Sequence, residues 1–170
     1  MADGNVYRAH AVFVQGRRIC GVSEYTPVDM KLLEDQYKTG SMDMGITLDG
    51  GMDVMAMSFK VKGSDVDVMS LYGFIPGQKT RFEIRSAFID TNSNEFERID
   101  TYDGIISAIT DDPLGTDSKA DVGQTVNVAP SYYKRVQNGR EIYELNPIQC
   151  IRRINGVNVL ENVKNILKIN

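Results

Sequence analysis

The chain has 170 residues, 42% of them hydrophobic and 25% charged, which is enough for one well-buried core and too little for two. A net charge of −4 without clustered Lys and Arg argues against a dedicated nucleic-acid reader, and no apolar run approaches the roughly 18 residues of a membrane span. The opening residues carry Asp3, Arg8 and His10 and lack a signal-peptide core, so the expectation is a soluble protein made in the cytoplasm.

Charge is unevenly spread. Residues 1 to 133 hold 12 basic and 20 acidic side chains, whereas 134 to 170 hold 7 basic and 3 acidic. An acidic body with a basic C-terminal segment attracts a copy of itself through unlike surfaces, the kind of contact that builds rings and filaments. Arg152 and Arg153 are the candidate charged assembly contacts. Cys20 and Cys150 stand far apart with no Cys-x-x-Cys pattern, and are read as buried free thiols.

Strand signals dominate from the start. Asn5 to Val14 holds Ala-His-Ala-Val-Phe-Val, and Gln15-Gly16 turns it into a second strand from Arg17 to Tyr25. After Thr26-Pro27 the segment Val28 to Met42 has no N-cap and no clean period, and reads as a long loop with at most a turn or two of helix. Its Met30, Leu32, Leu33, Tyr37 and Met42 make it too apolar to hang free in water, which marks it as functional. Asp43 to Leu48 and Asp53 to Val61 read as strands around a tight turn at Asp49-Gly50-Gly51, the second covered on both faces.

A short helix is predicted from Ser64, with Val66, Met69 and Tyr72 at helical spacing and Gly73 as its stop. Lys79 to Ile89 alternates, Phe82, Ile84 and Phe88 on one side and Arg81, Glu83 and Arg85 on the other. Asp90 to Asn94 turns the chain into a long strand, Glu95 to Thr110, interrupted near Asp103-Gly104. A mobile acidic loop follows from Asp111 to Gly123, and then a hairpin of Gln124 to Val136 with Glu141 to Leu145 around Asn138-Gly139.

The last stretch, Asn146 to Asn170, reads as a strand from Ile148 to Ile154, an Asn155-Gly156 turn and a helix. Asn158 is placed as its N-cap and Glu161 completes a capping box, together worth about 1 kcal/mol. Leu160, Val163, Ile166 and Leu167 form one apolar stripe, so the helix is expected to dock.

Motifs for chemistry fall short. Gly73 to Thr80 looks like a phosphate loop, but Gln78 stands where the Gly before Lys79 belongs, and the order is helix then strand. Asp90 to Glu95 begins like a calcium loop, yet Glu95 and Thr101 replace its Gly and its bidentate Glu. Asp111, Asp112, Asp117 and Asp121 are read as a solvated acidic run. His10, the single histidine, has no nearby Ser or Cys to form a triad, and no spacing singles out a pair of carboxylates. No catalytic, metal or cofactor residue is assigned.

Several of these stretches together resemble the major tail tube proteins of contractile-tailed phages and R-type bacteriocins. The likeness lies in the N-terminal hairpin with Gly16 and Gly21, and in the Pro-started segment with Leu33-Glu34 and Gly40 to Met42. It continues through Ser131-Tyr132-Tyr133-Lys134, Glu144-Leu145-Asn146 and the C-terminal Ile-Asn-Gly-Val turn and helix. Where this chain has Asn158 the family usually has Asp, and either residue caps. It covers nearly the whole chain.

The resemblance implies a mainly β fold, a single tail tube domain over residues 1 to 170 built as a sandwich or barrel, with a short central helix and a C-terminal helix. It implies hexameric rings stacked into the inner tube of a virion tail, made in the host bacterial cytoplasm. Six subunits would close a barrel of about 24 strands with a bore of about 40 Å, wide enough for DNA to pass without specific binding. Implied partners are further copies of itself, the tail sheath protein, and tape measure and baseplate or terminator proteins, with no membrane and no cofactor. In the family the segment holding Met30, Leu32, Leu33, Glu34, Tyr37 and Met42 contacts neighbouring subunits. The alternatives are a tube protein of the type VI secretion kind and a monomeric β-barrel that binds a ligand or acts as an enzyme.

Overall fold

The computed structural model describes residues 4–73, 77–115, 117 and 119–169. Its strands are β1 (Val6–Val14), β2 (Arg17–Ile19), β3 (Val22–Thr26), β4 (Leu32–Tyr37), β5 (Ile46–Met52), β6 (Met57–Lys62), β7 (Thr80–Ile89), β8 (Glu95–Asp111), β9 (Gly123–Gln137), β10 (Arg140–Asn146), β11 (Ile151–Ile154) and β12 (Val157–Asn158). Two short helices, α1 (Val66–Met69) and α2 (Glu161–Leu167), complete it with 3-10 turns at Lys119–Asp121 and Pro147–Gln149.

Ten strands form one antiparallel sheet, and β4 and β5 pair only with each other. The path β12-β11-β10-β9-β8-β7-β1-β2 branches at β9. One edge of β9 pairs with β8 along nearly its whole length. The other edge is shared: Gly123 to Val128 pair with β6, and Tyr133 to Gln137 pair with β10. At the branch the sheet folds over itself and encloses the core of Val12, Phe59, Phe82, Ile84, Tyr102, Ile106, Val126, Val128 and Tyr133. Each such side chain contributes about 1.5–3 kcal/mol on burial. Two glycines permit the tight approach of backbones here. A Cβ on Gly123 would lie 2.1 Å from the Val61 carbonyl oxygen, and one on Gly104 2.5 Å from that of Ala129.

Alternation correctly located the strands with one buried face. Phe82 and Ile84 of β7 are buried while Arg81 and Arg85 are exposed, and Asn138-Gly139 turns β9 into β10 with both residues at positive φ. The calcium-like run is a hairpin turn: Asp90 Oδ1 accepts from the backbone N–H of Asn92 and Asn94. Residues 74–76 of the phosphate-like stretch lie outside the described residues, and the order α1 then β7 holds around them.

Other expectations fail for identifiable reasons. The strand read as Arg17 to Tyr25 breaks at Gly21, whose φ of 80° turns the chain, so that β2 stays with β1 and β3 crosses to β6. The segment Val28 to Met42 is not a loop with a helical turn, because Leu32 to Tyr37 form β4. Asp49-Gly50-Gly51 is not a turn either; it lies inside β5, and the chain reverses between Tyr37 and Ile46 instead. In β6 only Met57, Phe59 and Val61 are buried, so the subunit by itself covers one face and not two.

In α1, Val68 is the buried residue, while Val66, Met69 and Tyr72 are exposed. Asp65 is its N-cap, accepting from the N–H groups of Asp67 and Val68. The acidic stretch after β8 is pinned where it is described: Lys60 reaches Asp112 at 2.6 Å and Lys62 reaches Asp121 at 2.8 Å. Positions 116 and 118 of that stretch lie outside the described residues. Cys20 is exposed and Cys150 half-buried, so neither is the buried thiol expected.

The C-terminus departs most. The strand begins only at Ile151, after a 3-10 turn that places Cys150 in the left-handed region at φ 50°. Asn158 does not cap α2, because it belongs to β12 and Leu160 takes the cap position without a side-chain bond. Its Oδ1 accepts from the N–H groups of Arg152 and Leu160, and its Nδ2 donates to Glu161 and to the Cys150 carbonyl. No residue of α2 is buried, so the helix is not docked within the subunit.

Candidate assembly surface

The β4–β5 hairpin carries the apolar residues singled out from the sequence. Leu32, Leu33 and Tyr37 of β4 are each about half exposed, as are Ile46 and Leu48 of β5, and Met44 at the turn is 79% exposed. Met30 packs against the core and Met42 is half-buried. Tyr37 pairs with Ile46 and Asp35 with Leu48, so these four side chains share one face. A two-stranded hairpin is marginal alone in water, and this one has no third strand among the described residues.

One ion pair fixes it to the body. Glu34 stands directly across from Asp49, a like-charge pair that disfavours the hairpin. Arg152 answers it from β11: its Nη1 and Nη2 donate to the two Asp49 carboxyl oxygens at 3.3 and 2.5 Å. The guanidinium is almost fully buried, and together with the Gly51 N–H it holds the Asp49 carboxyl below its ordinary value of 3.8. Gly50 leaves room for Asp35, whose Oδ2 would lie 2.7 Å from a Cβ there. Beneath the hairpin base runs a cleft of about 540 Å³, lined by Met52, Val54, Met55, Leu145 and Leu160.

Arg153 points elsewhere, to Glu144 and Glu141. Lys134 also pairs with Glu141, and Arg135 with Asp100. Four of the seven basic residues of the C-terminal segment are therefore paired within the chain, and the surplus positive charge is far less available to a second copy than the sequence implies. What the C-terminus does expose is apolar: Ile154, Val157 and Val159, then Val163, Ile166 and Leu167 of α2.

Sequence reasoning missed the polar centre of the sheet. Asp100 is fully buried in β8 and accepts from Arg135 Nε at 2.6 Å and from the Tyr133 hydroxyl at 3.1 Å. Arg98 Nε lies 3.0 Å from its other oxygen. Tyr133 stacks on Tyr102 at 4.8 Å, and the Tyr102 and Tyr25 hydroxyls are 2.5 Å apart. Burial, then the Asp100 charge, pushes Tyr102 up to about 12, and burial raises Tyr25 and Tyr133 as well, so all three stay neutral. The signal was the alternation Arg98-x-Asp100 and Tyr133-x-Arg135, which puts charge at inward positions.

Among the described residues no group of three or more His, Cys, Asp and Glu side chains is arranged to hold a metal ion, and no helix is long and apolar enough to cross a membrane. No curated protein matches the chain. A solved structure described as a cryo-EM structure of the anti-feeding prophage baseplate, 6-fold symmetrised, contains a chain similar over 75% of this one and 90% of its own, at 8% identity and a TM-score of 0.48. The family described as phage tail tube protein FII matches residues 5–167. With nearly its full length covered by that match, the chain belongs to the phage tail tube protein FII family and is a structural protein of the tail tube, a component of the virion.

Proposed function

We propose that this chain, acting as a single domain, closes into hexameric rings whose sheets join into one inner barrel, and that the rings stack into the tube of a contractile tail. The observation that carries this is the β4–β5 hairpin, whose apolar face the subunit leaves uncovered. Neighbouring subunits cover it, with Leu32, Leu33, Glu34 and Tyr37 at the contact and Met30 and Met42 at its base. Open strand edges are a liability that ring closure removes. Arg152 takes part indirectly by setting the hairpin, and Arg153, paired with Glu144 and Glu141, takes part through that separate charged cluster.

The tube is a passive conduit for DNA, without enzymatic activity or cofactor, and its net negative charge keeps DNA from adhering. Its partners are the sheath outside, the tape measure protein within, and baseplate and terminator proteins at its ends, and the subunit is made in the host cytoplasm. Sedimentation and electron microscopy of the purified protein over a range of concentrations, with and without chelator, test the assembly. Six-fold rings or tubes that form without metal are the expected result, and a persistent monomer at high concentration refutes it.

A further inference from the structure

Two turns of the same sequence and shape lie side by side. Gln137 pairs with Arg140 around Asn138-Gly139, and Ile154 pairs with Val157 around Asn155-Gly156. In each turn both residues have positive φ, 50° and 74° in the first and 52° and 83° in the second, which marks a type I′ hairpin. All four residues are exposed, and the N–H groups of Gly139 and Gly156 have no acceptor among the described residues.

One contact tells the turns apart. Arg140 Nη2 donates to Asn155 Oδ1, whereas the Asn138 side chain forms no hydrogen bond among the described residues. A guanidinium only donates, so the amide atom that faces it is the oxygen. Arg140 has no carboxylate partner among the described residues, and this cation is therefore answered by a neutral amide.

We propose that Asn155 is a site of spontaneous deamidation and that Arg140 promotes the reaction there. Glycine has no side chain to shield its N–H, so an Asn-Gly amide closes on itself more readily than other pairs. Hydroxide removes the Gly156 N–H proton, and the nitrogen forms a bond to Asn155 Cγ while the carbonyl π electrons move onto Oδ1. The oxyanion collapses, the Cγ–Nδ2 bond breaks, and Nδ2 takes a proton from water and leaves as ammonia. Water then opens the succinimide ring at either carbonyl, to an aspartyl or an isoaspartyl linkage. Overall a water is consumed and ammonia is released. Negative charge builds on Oδ1, the atom that Arg140 faces, so the guanidinium lowers the barrier. The product carboxylate also gives Arg140 its counter-charge. In the isoaspartyl form the main chain gains a carbon within a two-residue turn, which displaces β12 and the helix α2 that follows it.

Asn138 is the internal control. The dilute subunit is aged at mildly alkaline pH and digested with trypsin. Cleavage after Arg140 and Arg153 puts the two asparagines on separate peptides, and tandem mass spectrometry measures deamidation at each. Every rate is divided by that of the same position in the urea-unfolded chain. The resulting ratio should be about two- to fivefold higher at Asn155 than at Asn138, the range that an exposed charged contact allows. Arg140→Gln should bring the Asn155 ratio down to that of Asn138, and Arg140→Lys should keep part of the difference. Salt at about 1 M, where the Debye length is about 3 Å, should remove most of it in the unaltered chain.

A ratio at Asn155 no higher than at Asn138 overturns the proposal and shows that both turns simply protect their amides. A higher ratio that salt does not reduce overturns the role of Arg140. Because the salt series is read on the unaltered chain, it decides even where Arg140→Gln loosens the turn.

Discussion

Removing the charge of Asp100 should be among the most damaging single changes in the subunit. The carboxylate is fully buried and joins Arg135, Arg98 and Tyr133, so Asp100→Asn leaves two guanidinium groups without a counter-charge. Breaking a buried pair by removing one partner costs about 3–5 kcal/mol. Both arginine side chains keep a little water, at 19% and 18% exposure, which places the cost near the lower end, about 3 kcal/mol. For a domain of this size, about 2–4 °C accompanies each kcal/mol, so the melting temperature should fall by roughly 6–12 °C. Calorimetry of the dilute subunit measures it, with Asp121→Asn at the exposed Lys62 pair as a control that should change little. Replacing the whole cluster, Asp100→Leu with Arg98→Met and Arg135→Met, should recover most of the loss, because apolar side chains of similar size substitute well for buried ion pairs. A fall below about 2 °C for Asp100→Asn would refute the view that this cluster is held by charge.

Gly123→Ala should destabilise by at least about 1–3 kcal/mol in urea unfolding, since its methyl meets the Val61 carbonyl and only backbone movement can relieve it. Leu33→Asp with Tyr37→Ser should leave the circular dichroism of the subunit unchanged and block tube growth, and loss of folding would show that these residues are core. Arg152→Ala should speed hydrogen exchange of the β4 and β5 amides, whereas Arg153→Ala, which leaves Asp49 paired, should not. Stability should decline on acidification in two stages. The depressed His10 pKa contributes stability that is present above its ordinary 6.5 and lost below it, and His10→Gln should remove that stage. The lowered Asp49, Asp90, Asp112 and Asp121 carboxyls act in the same direction further down, with stability present above 3.8 and lost as pH falls through their folded values.

Legibility in the sequence followed burial. In β7 to β10 one face is covered, so alternation located the strands, and Asn138-Gly139 located their turn. β4 has all six residues exposed within the subunit, and a strand with no buried face has no period to read. Of the apolar residues that drew attention to that segment, Leu32, Leu33 and Tyr37 are exposed in the subunit, whereas Met30 packs against the core and Met42 is half-buried. Asp49-Gly50-Gly51 misled because glycine serves turns and close packing alike, and here Gly50 admits the Asp35 side chain. The stripe on α2 was read correctly as apolar and wrongly as docked, since its partner is not within the described residues of this chain. Arg152 was found as a charge without its partner, because Asp49 lies 103 positions away and no local pattern connects them.

That separation sets an order of events. When the hairpin leaves the ribosome, the guanidinium that offsets the Glu34–Asp49 repulsion has not yet been synthesised. The contact closes a loop of 103 positions, so its entropic cost falls on the finished chain and not on the nascent one. A polypeptide stopped before β11 would carry the same apolar hairpin without that ion pair, anchored at its base where Met30 and Met52 pack against the core. The hairpin is thus fastened by one of the last strands to be made, and truncated chains should be poor competitors for places in a growing tube.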